Sequence, residues 1–145
     1  MADIRHFKDR TEAGRLLAQR LGEYARRPDA VVLALPRGGV PVGFAIAQRL
    51  GIALDILIVR KLGMPGHEEF AMGAVGSGGV RVLQPGVPGL LGVSAHDVDL
   101  VTARELAELQ RRERAYRGGR APLDLAGRSA ILVDDGVATG STMLA

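Results

Sequence analysis

The feature that most restricts the fold of this chain is a set of short, almost uninterrupted apolar runs. They occupy Ala30–Leu35, Leu54–Val59 and Ser129–Asp134. A strand that is covered on both faces needs apolar side chains at successive positions, and such strands are typical of parallel sheets. We therefore interpret all three runs as buried strands.

Helical patterns separate these runs. Apolar residues recur at helical spacing in Thr11–Arg27, in Val42–Leu50 and in Ser94–Tyr116, where Ser94 is the predicted N-cap. Two shorter apolar segments, Phe70–Val75 and Val80–Leu83, flank a glycine-rich turn and are interpreted as a hairpin or sheet-edge extension. The alternation of strands and helices predicts an α/β fold with a parallel sheet and flanking helices.

Length and composition narrow the class of protein. The chain has 145 residues, of which 47% are hydrophobic and 24% charged, and this balance predicts a single globular domain over residues 1–145. It has no apolar run near the ~20 residues that a bilayer span needs. Its N-terminus is charged and unlike a secretory signal, and it has no cysteine. We expect a cytoplasmic protein with no membrane partner.

The charge pattern bears on the ligands. A net charge of +3 is a weak indication of anionic ligands. The densest arginine cluster, Arg111–Arg117, is interleaved with acids on the predicted long helix, which is typical of a solvated face. Only 3% of the residues are aromatic, so no stacking platform for single-stranded nucleic acid is expected. These features argue against nucleic acid as a partner.

An acidic, hydroxyl-rich segment follows the third apolar run. Because ligands of open parallel sheets bind at the carboxyl ends of the strands, this segment is a candidate binding site. Asp134 and Asp135 are costly to bury without partners, and ribose hydroxyls are suitable partners. Thr139, Ser141 and Thr142 lie where another helix is predicted to begin, and a helix N-terminus favours phosphate. A strand–turn–helix connection with chance capping residues is the alternative.

The whole segment, AILVDDGVATGST at Ala130–Thr142, resembles the signature of the type I phosphoribosyltransferases. The resemblance implies that Asp134 and Asp135 contact the ribose hydroxyls of phosphoribosyl pyrophosphate. It also implies a phosphate cradle, made by Ala138, Thr139, Gly140, Ser141 and Thr142. Gly136 departs from the pattern, since a branched apolar residue is more usual there; this loosens the loop without removing a contacting group.

A second loop, Leu35–Pro41, follows the first apolar run. Arg37 offers a planar cationic fork, and Gly38 and Gly39 expose backbone N–H groups to phosphate oxygens. On its own the sequence PRGG also fits an ordinary turn. The loop resembles the pyrophosphate loop of the same family, which implies that Arg37, Gly38 and Gly39 bind pyrophosphate.

A third segment follows the second apolar run and is interpreted as a loop. Lys61 stands out as one of two lysines in an arginine-rich chain. The resemblance to the family implies that Lys61, a basic residue after the second core strand, reaches the pyrophosphate and that the loop after it can close over the site. The stretch Arg60–Val75 also resembles a bacterial subgroup of the family. Glu68 or Glu69 could coordinate through water or act on the leaving group, but surface acids are equally expected. His67 is interpreted as a loop histidine rather than a metal ligand.

The resemblance implies a reaction as well as a ligand. The family transfers ribose 5-phosphate from phosphoribosyl pyrophosphate to a nitrogenous base and releases pyrophosphate, mainly by positioning the reactants and stabilising the leaving group. Mg²⁺ is the implied cofactor, held mostly by substrate and water, with Asp134 and Asp135 reaching it through water. Lys61, Asp134 and Asp135 are the implied catalytic residues. The acceptor base is not specified.

Other functions are less well supported. The sequence has no P-loop, no GxGxxG fingerprint, no nucleophile elbow and no zinc-ligand spacing. Two alternatives stay open: a regulatory protein that senses phosphoribosyl pyrophosphate without transferase activity, and a degenerate remnant without a ligand. The acidic loop, which begins at Asp134 and Asp135, keeps these acids and the hydroxyls of Thr139 and Thr142, and this argues against a degenerate remnant.

The sequence stops at Ala145, just after the phosphate segment. The resemblance implies that it corresponds to roughly the first two-thirds of a family member and lacks the last helix and strands. Because an open sheet edge tends to pair, we expect low stability or association into a homo-oligomer.

Overall fold

A computed structural model describes residues 6–87, 89, 92–121 and 123–136. The described residues form two compact units, the first from residues 6–56 and 123–136 and the second from residues within 57–121. The expectation of one domain over residues 1–145 stays a prediction. No helix in these ranges is both long and apolar enough to cross a membrane.

Within the described residues the chain forms three α-helices and six strands, with a short 3-10 helix at Gly22–Tyr24. In chain order they are α1 (Arg10–Arg20), β1 (Ala30–Ala34), α2 (Gly39–Leu50), β2 (Ala53–Ile56), β3 (Val59–Met64), β4 (His67–Gly76), β5 (Val80–Leu83), α3 (Ala95–Arg117) and β6 (Ser129–Val133).

The first unit contains a parallel sheet in the order β2-β1-β6. All five residues of the central strand β1 are buried, as its apolar run predicts. Ala34 at the end of β1 lies opposite Ile56 of β2 and Val133 of β6. The carboxyl ends of the three strands therefore meet at one edge of the sheet, and the predicted parallel α/β fold is confirmed.

The second apolar run is only in part a strand of this sheet, and the prediction that this strand is buried is wrong. Strand β2 ends at Ile56, and most of its residues are half-buried rather than buried. The Asp55 carboxylate accepts hydrogen bonds from the backbone N–H groups of Ile56 (2.8 Å) and Leu123 (3.1 Å). Val59 already belongs to another sheet, so the prediction of one strand over Leu54–Val59 is wrong. A continuous apolar run does not show where a chain changes its pairing partner.

The third apolar run forms β6 as predicted, but most of that strand is not buried. Val133 is buried, whereas Leu132 is 43% exposed and Ala130 is exposed as well. The prediction of burial is therefore wrong for much of β6. Among the described residues β6 is paired on one side only, with β1, so one face and one edge of the strand are open.

The three predicted helices that lie among the described residues are confirmed, with changes at their ends. Helix α1 stops at Arg20, because Leu21 leaves helical geometry and the 3-10 turn follows, so the predicted extension to Arg27 is wrong. Helix α2 starts three residues before the predicted Val42. Helix α3 opens as predicted, since the Ser94 hydroxyl accepts from the Asp97 N–H at 3.1 Å.

Helices α1 and α2 pack very closely at Gly14. A Cβ atom on Gly14 would lie 2.5 Å from the Ala45 Cβ and 2.8 Å from the Val42 carbonyl oxygen. Both contacts are shorter than van der Waals separation, so only glycine permits this crossing. The adjoining core consists of small and branched apolar residues, with Val32, Ile46 and Val133 among its buried members. The contact at Gly14 therefore fixes how near α1 lies to the start of α2.

We expect Gly14→Ala to lower the free energy of unfolding by about 1–3 kcal/mol, since it overpacks this crossing. Gly22→Ala is the matched control, because nothing lies within 4 Å of a Cβ at Gly22. Urea unfolding of the two variants measures the difference. Equal stability of Gly14→Ala and Gly22→Ala would contradict the close packing described.

The second unit is an antiparallel sheet in the order β3-β4-β5, with α3 packed against β3 and β4. The pairing of β4 with β5 confirms the predicted hairpin. The interpretation of the segment after the second apolar run as a loop is wrong, since most of it forms β3 and the start of β4. A tight turn at Pro65–Gly66 joins them, with Gly66 in the left-handed region (φ 79°). Lys61 lies within β3, opposite Ala74.

Ion pairs along α3 explain its charged face. The Arg60 guanidinium on β3 lies 2.6 Å from the Glu105 carboxylate in a largely buried pair. Further along, Arg111 and Arg112 both bond to Glu108, at 2.5 and 3.1 Å, and they lower the pKa of that carboxyl to about 2. Arg111, Arg112 and Arg114 are exposed, and the first two are paired on their own helix, which agrees with the interpretation as a solvated face. Arg117 departs from it, since this residue is half-buried and its Nε is buried.

Candidate functional site

Two of the three sequence-predicted loops lie side by side at the carboxyl edge of the parallel sheet. The backbone N–H of Leu35, just after β1, donates to the Val133 carbonyl at 2.9 Å. This bond continues the β1–β6 ladder one residue past the end of β1. The loop with Arg37 and the loop with Asp134 therefore leave the sheet next to each other.

Gly38 and Gly39 make this close approach of the two loops sterically feasible. A Cβ on Gly39 would lie 2.5 Å from the Val133 carbonyl oxygen and 3.1 Å from the Asp134 Cα. A Cβ on Gly38 would lie 1.9 Å from Oδ2 of Asp135. The acidic loop therefore packs directly on the glycine backbone of the neighbouring loop.

The loop Leu35–Pro41, called the glycine loop below, makes two of its backbone hydrogen bonds within itself. The Gly39 N–H donates to the Leu35 carbonyl at 2.9 Å, and the Val40 N–H donates to the Arg37 carbonyl at 3.1 Å. The Pro36–Arg37 peptide bond is cis. Helix α2 begins at Gly39, so its positive dipole end lies at this loop. Arg37 is exposed and forms no ion pair with other described residues.

The two acids differ in their surroundings. Asp134 is half-buried, and its Oδ1 accepts from the Asp135 N–H at 2.8 Å. Asp135 is more exposed, and its Oδ2 accepts from Nη2 of Arg10 at 2.9 Å. The hydrogen bond from Arg10 lowers the pKa of the Asp135 carboxyl, against the smaller opposing effect of burial. Asp135 is therefore an anion at neutral pH.

An open cleft of about 750 Å³ lies beside these acids, within the first unit. One wall is the N-terminal end of α1 and the residues before it, and the other is the start of α2 with the acidic loop. Its lining residues are Phe7, Lys8, Asp9, Arg10, Thr11, Ala13, Leu17, Pro41, Val42, Asp134 and Asp135. Arg10 on one wall therefore pairs with Asp135 on the other, and the carboxylates of Asp134 and Asp135 suit a ligand with hydroxyl groups.

The remaining predicted residues belong to the second unit or lie outside the described residues. Lys61 is exposed on β3 in the second unit, and its place at the pyrophosphate stays a prediction. Glu68 and Glu69 are exposed on β4, and His67 Nδ1 lies 3.8 Å from the Glu69 carboxylate. No cluster of three or more potential metal-ligating side chains occurs among the described residues. The predicted phosphate cradle and the helix predicted to follow it, including Ala138, Thr139, Gly140, Ser141 and Thr142, lie outside those residues.

The phosphoribosyl transferase domain family matches residues 6–145, which include both loops at the carboxyl edge of the parallel sheet. The chain belongs to this family. Its fold agrees: the crystal structure of TT1426 from Thermus thermophilus is similar with a TM-score of 0.79 and 45% sequence identity. That similarity covers 97% of this chain and 66% of TT1426.

Two curated relatives of this phosphoribosyl transferase domain come from Mycobacterium tuberculosis, strains CDC 1551 and H37Rv. Each is named "Putative phosphoribosyl transferase" and is 51% identical over 136 residues. The matched region is 94% of this chain, whereas the chain spans only 30% of the length of either relative.

One residue of the site in this phosphoribosyl transferase domain, Arg10, was not predicted from the sequence. Arg10 is separated from Asp135 by 125 residues and belongs to no recognisable motif. A single arginine at the start of an amphipathic helix is normally a solvated residue, so nothing in the sequence distinguishes it. Only the packing of α1 on α2 shows that Arg10 reaches the acidic loop.

Proposed function

We propose that this chain binds phosphoribosyl pyrophosphate and transfers its ribose 5-phosphate group to a nitrogenous base, with release of pyrophosphate. One observation carries the proposal: the Asp134–Asp135 loop packs directly on the Gly38–Gly39 loop at the edge of the sheet. The family resemblance assigns the acids to ribose and the glycine loop to pyrophosphate. These two parts of the substrate are themselves bonded to each other, so adjacent loops suit them.

The proposed chemistry is a displacement at C1 of the ribose. The bond from C1 to the pyrophosphate oxygen breaks, and pyrophosphate leaves with the electron pair. A nitrogen of the base forms the new bond to C1 with its own electron pair, and any proton on that nitrogen passes to water. Asp134 and Asp135, as carboxylates, would accept hydrogen bonds from the ribose hydroxyls. Arg37 and Lys61 would bind the departing pyrophosphate, and the hydroxyls of the 138–142 segment would bind the 5′-phosphate.

Mg²⁺ fits this site as a partner of the substrate. Asp134 and Asp135 are hard oxygen ligands, but among the described residues they are not part of a cluster of three or more ligating side chains. We therefore infer that substrate oxygens and water provide most of the ligands, with the two carboxylates reaching the ion through water. When bound, the ion would neutralise charge on the pyrophosphate.

Calorimetry with phosphoribosyl pyrophosphate in the presence and absence of Mg²⁺ tests the binding step. We expect binding that is tighter with Mg²⁺, and tighter than that of ribose 5-phosphate or pyrophosphate alone, because each fragment makes only part of the contacts. Absence of binding under all conditions would overturn the proposal.

A pyrophosphate-release assay against a panel of bases tests turnover. It is run on this chain and on a version that extends past Ala145, because the curated relatives are much longer than the region matched. Release with one base identifies the acceptor. Binding without release in both versions would favour the alternative of a sensor for phosphoribosyl pyrophosphate that lacks transferase activity.

A further inference from the structure

The N-terminal end of α1 contacts the acidic loop through Arg10. Nη2 of Arg10 lies 2.9 Å from Oδ2 of Asp135, and both residues line the cleft. The same oxygen is the atom nearest to the Cβ position of Gly38. The Asp135 carboxylate therefore bonds to the Arg10 guanidinium and lies directly against the backbone of the glycine loop.

The position of Arg10 is itself well determined by its helix. The Asp9 side chain caps α1 by accepting from the Glu12 N–H at 2.8 Å, and the Glu12 carboxylate accepts from the backbone N–H of Lys8. One turn further along, Gly14 brings α1 against α2. These contacts place Arg10 in the first turn of α1, at the wall of the cleft.

The ion pair contributes little to folding. The side chains of Arg10 and Asp135 are 58% and 39% exposed, and pairs with this exposure are worth little to stability because water screens them. An effect of Arg10 on ligand binding is therefore separable from an effect on the fold.

We propose that Arg10 is a positioning residue for the phosphoribosyl pyrophosphate site: it holds the Asp135 carboxylate against the glycine loop, in place to accept from the ribose hydroxyls. This inference rests on the proposed function and adds to it a residue from the opposite wall of the cleft. Arg10 acts through Asp135 and does not itself contact the substrate.

The variants Arg10→Gln and Arg10→Lys test this proposal by calorimetry with phosphoribosyl pyrophosphate and Mg²⁺. We expect Arg10→Gln to weaken binding about tenfold, as is typical of coupled neighbours. We expect Arg10→Lys to bind with intermediate affinity, because one ammonium replaces a planar fork. Arg15→Gln, an exposed arginine of the same helix outside the cleft lining, is the matched control and should bind like the parent. Urea unfolding should show parental stability for all three variants.

A double-mutant cycle with Asp135→Asn separates positioning from direct contact. If Arg10 acts through Asp135, then Arg10→Gln has no further effect once Asp135 is asparagine. A further loss in that background would mean that Arg10 contacts the substrate and would overturn the positioning role. Parental affinity of Arg10→Gln also overturns it. Failure of the parent chain itself to bind overturns the proposed function together with this inference, so the two failures are distinguishable.

Discussion

Replacing both acids, Asp134→Asn with Asp135→Asn, is expected to weaken binding of phosphoribosyl pyrophosphate by at least about 100-fold. Asparagine has nearly the same shape as aspartate but lacks the charge and one acceptor oxygen, so the change replaces charge-assisted hydrogen bonds to the ribose by neutral ones at both positions. A hydrogen bond to a charged group contributes about 1.5–3 kcal/mol and a neutral one about 0.5–1.5 kcal/mol, and loss of the difference at two positions corresponds to about 100-fold in affinity. The change also removes the ion pair from Arg10 that holds Asp135 in place. Calorimetry with Mg²⁺ present measures the loss.

A charge-matched control keeps this result specific. Glu23→Gln with Asp124→Asn removes two exposed acids of the first unit that do not line the cleft, and we expect it to bind like the parent. Both double variants should unfold at a similar urea concentration. If the Asp134 and Asp135 variant is folded and binds as tightly as the control, the ribose assignment is wrong.

The sequence predicted the part of the site that depends on two apolar strands. Strands β1 and β6 are apolar along nearly their whole length, and the predicted ends differ from the observed ends by one residue. Parallel strands bring their carboxyl ends to one edge, so the pattern alone predicted that Arg37 and Asp134 lie at the same edge of the sheet. That β1 and β6 are direct neighbours is seen only in the structure. The pattern is most informative for β1, where burial on both faces leaves little freedom in the choice of side chains.

The same reasoning failed where strands are partly exposed. In β3 and the start of β4, charged residues such as Lys61 and Glu68 alternate poorly with apolar ones, so the segment looks like a loop. Its backbone hydrogen bonds are made between strands, and pairing of that kind leaves almost no trace in a single sequence. Arg10 was not predicted for a related reason: its partner, Asp135, lies 125 residues further along the chain.

Gly38 and Gly39 show a third limit of prediction from sequence. Both residues were predicted to belong to the site, but the main reason why glycine is needed there was not. Exposed N–H groups for phosphate were expected at both positions, yet the Gly39 N–H is donated to the Leu35 carbonyl. What the structure adds is a steric need for glycine, imposed by the adjacent acidic loop. A turn in the sequence shows that glycine suits the backbone, whereas a close approach from another strand is visible only in three dimensions.

This steric need predicts different outcomes for two neighbouring substitutions. We expect Gly39→Ala to lower the free energy of unfolding by about 1–3 kcal/mol, since its methyl group would overlap the Val133 carbonyl oxygen at 2.5 Å. That oxygen cannot withdraw freely, because it accepts from the Leu35 N–H at 2.9 Å and belongs to the end of β6. Relief of the overlap therefore disturbs the ladder between β1 and β6. Urea unfolding measures the loss.

Gly38→Ala should instead affect binding more than stability. Its methyl group would meet the end of the Asp135 side chain, which can rotate away at small cost to the fold but would then leave Arg10. We therefore expect near-parental unfolding with weaker binding of phosphoribosyl pyrophosphate. Gly22→Ala is the control for both, since a methyl group there meets nothing within 4 Å. If Gly39→Ala were as stable as Gly22→Ala, the acidic loop could not pack on the glycine loop as closely as the structure shows, and the geometric basis of the proposed site would be lost.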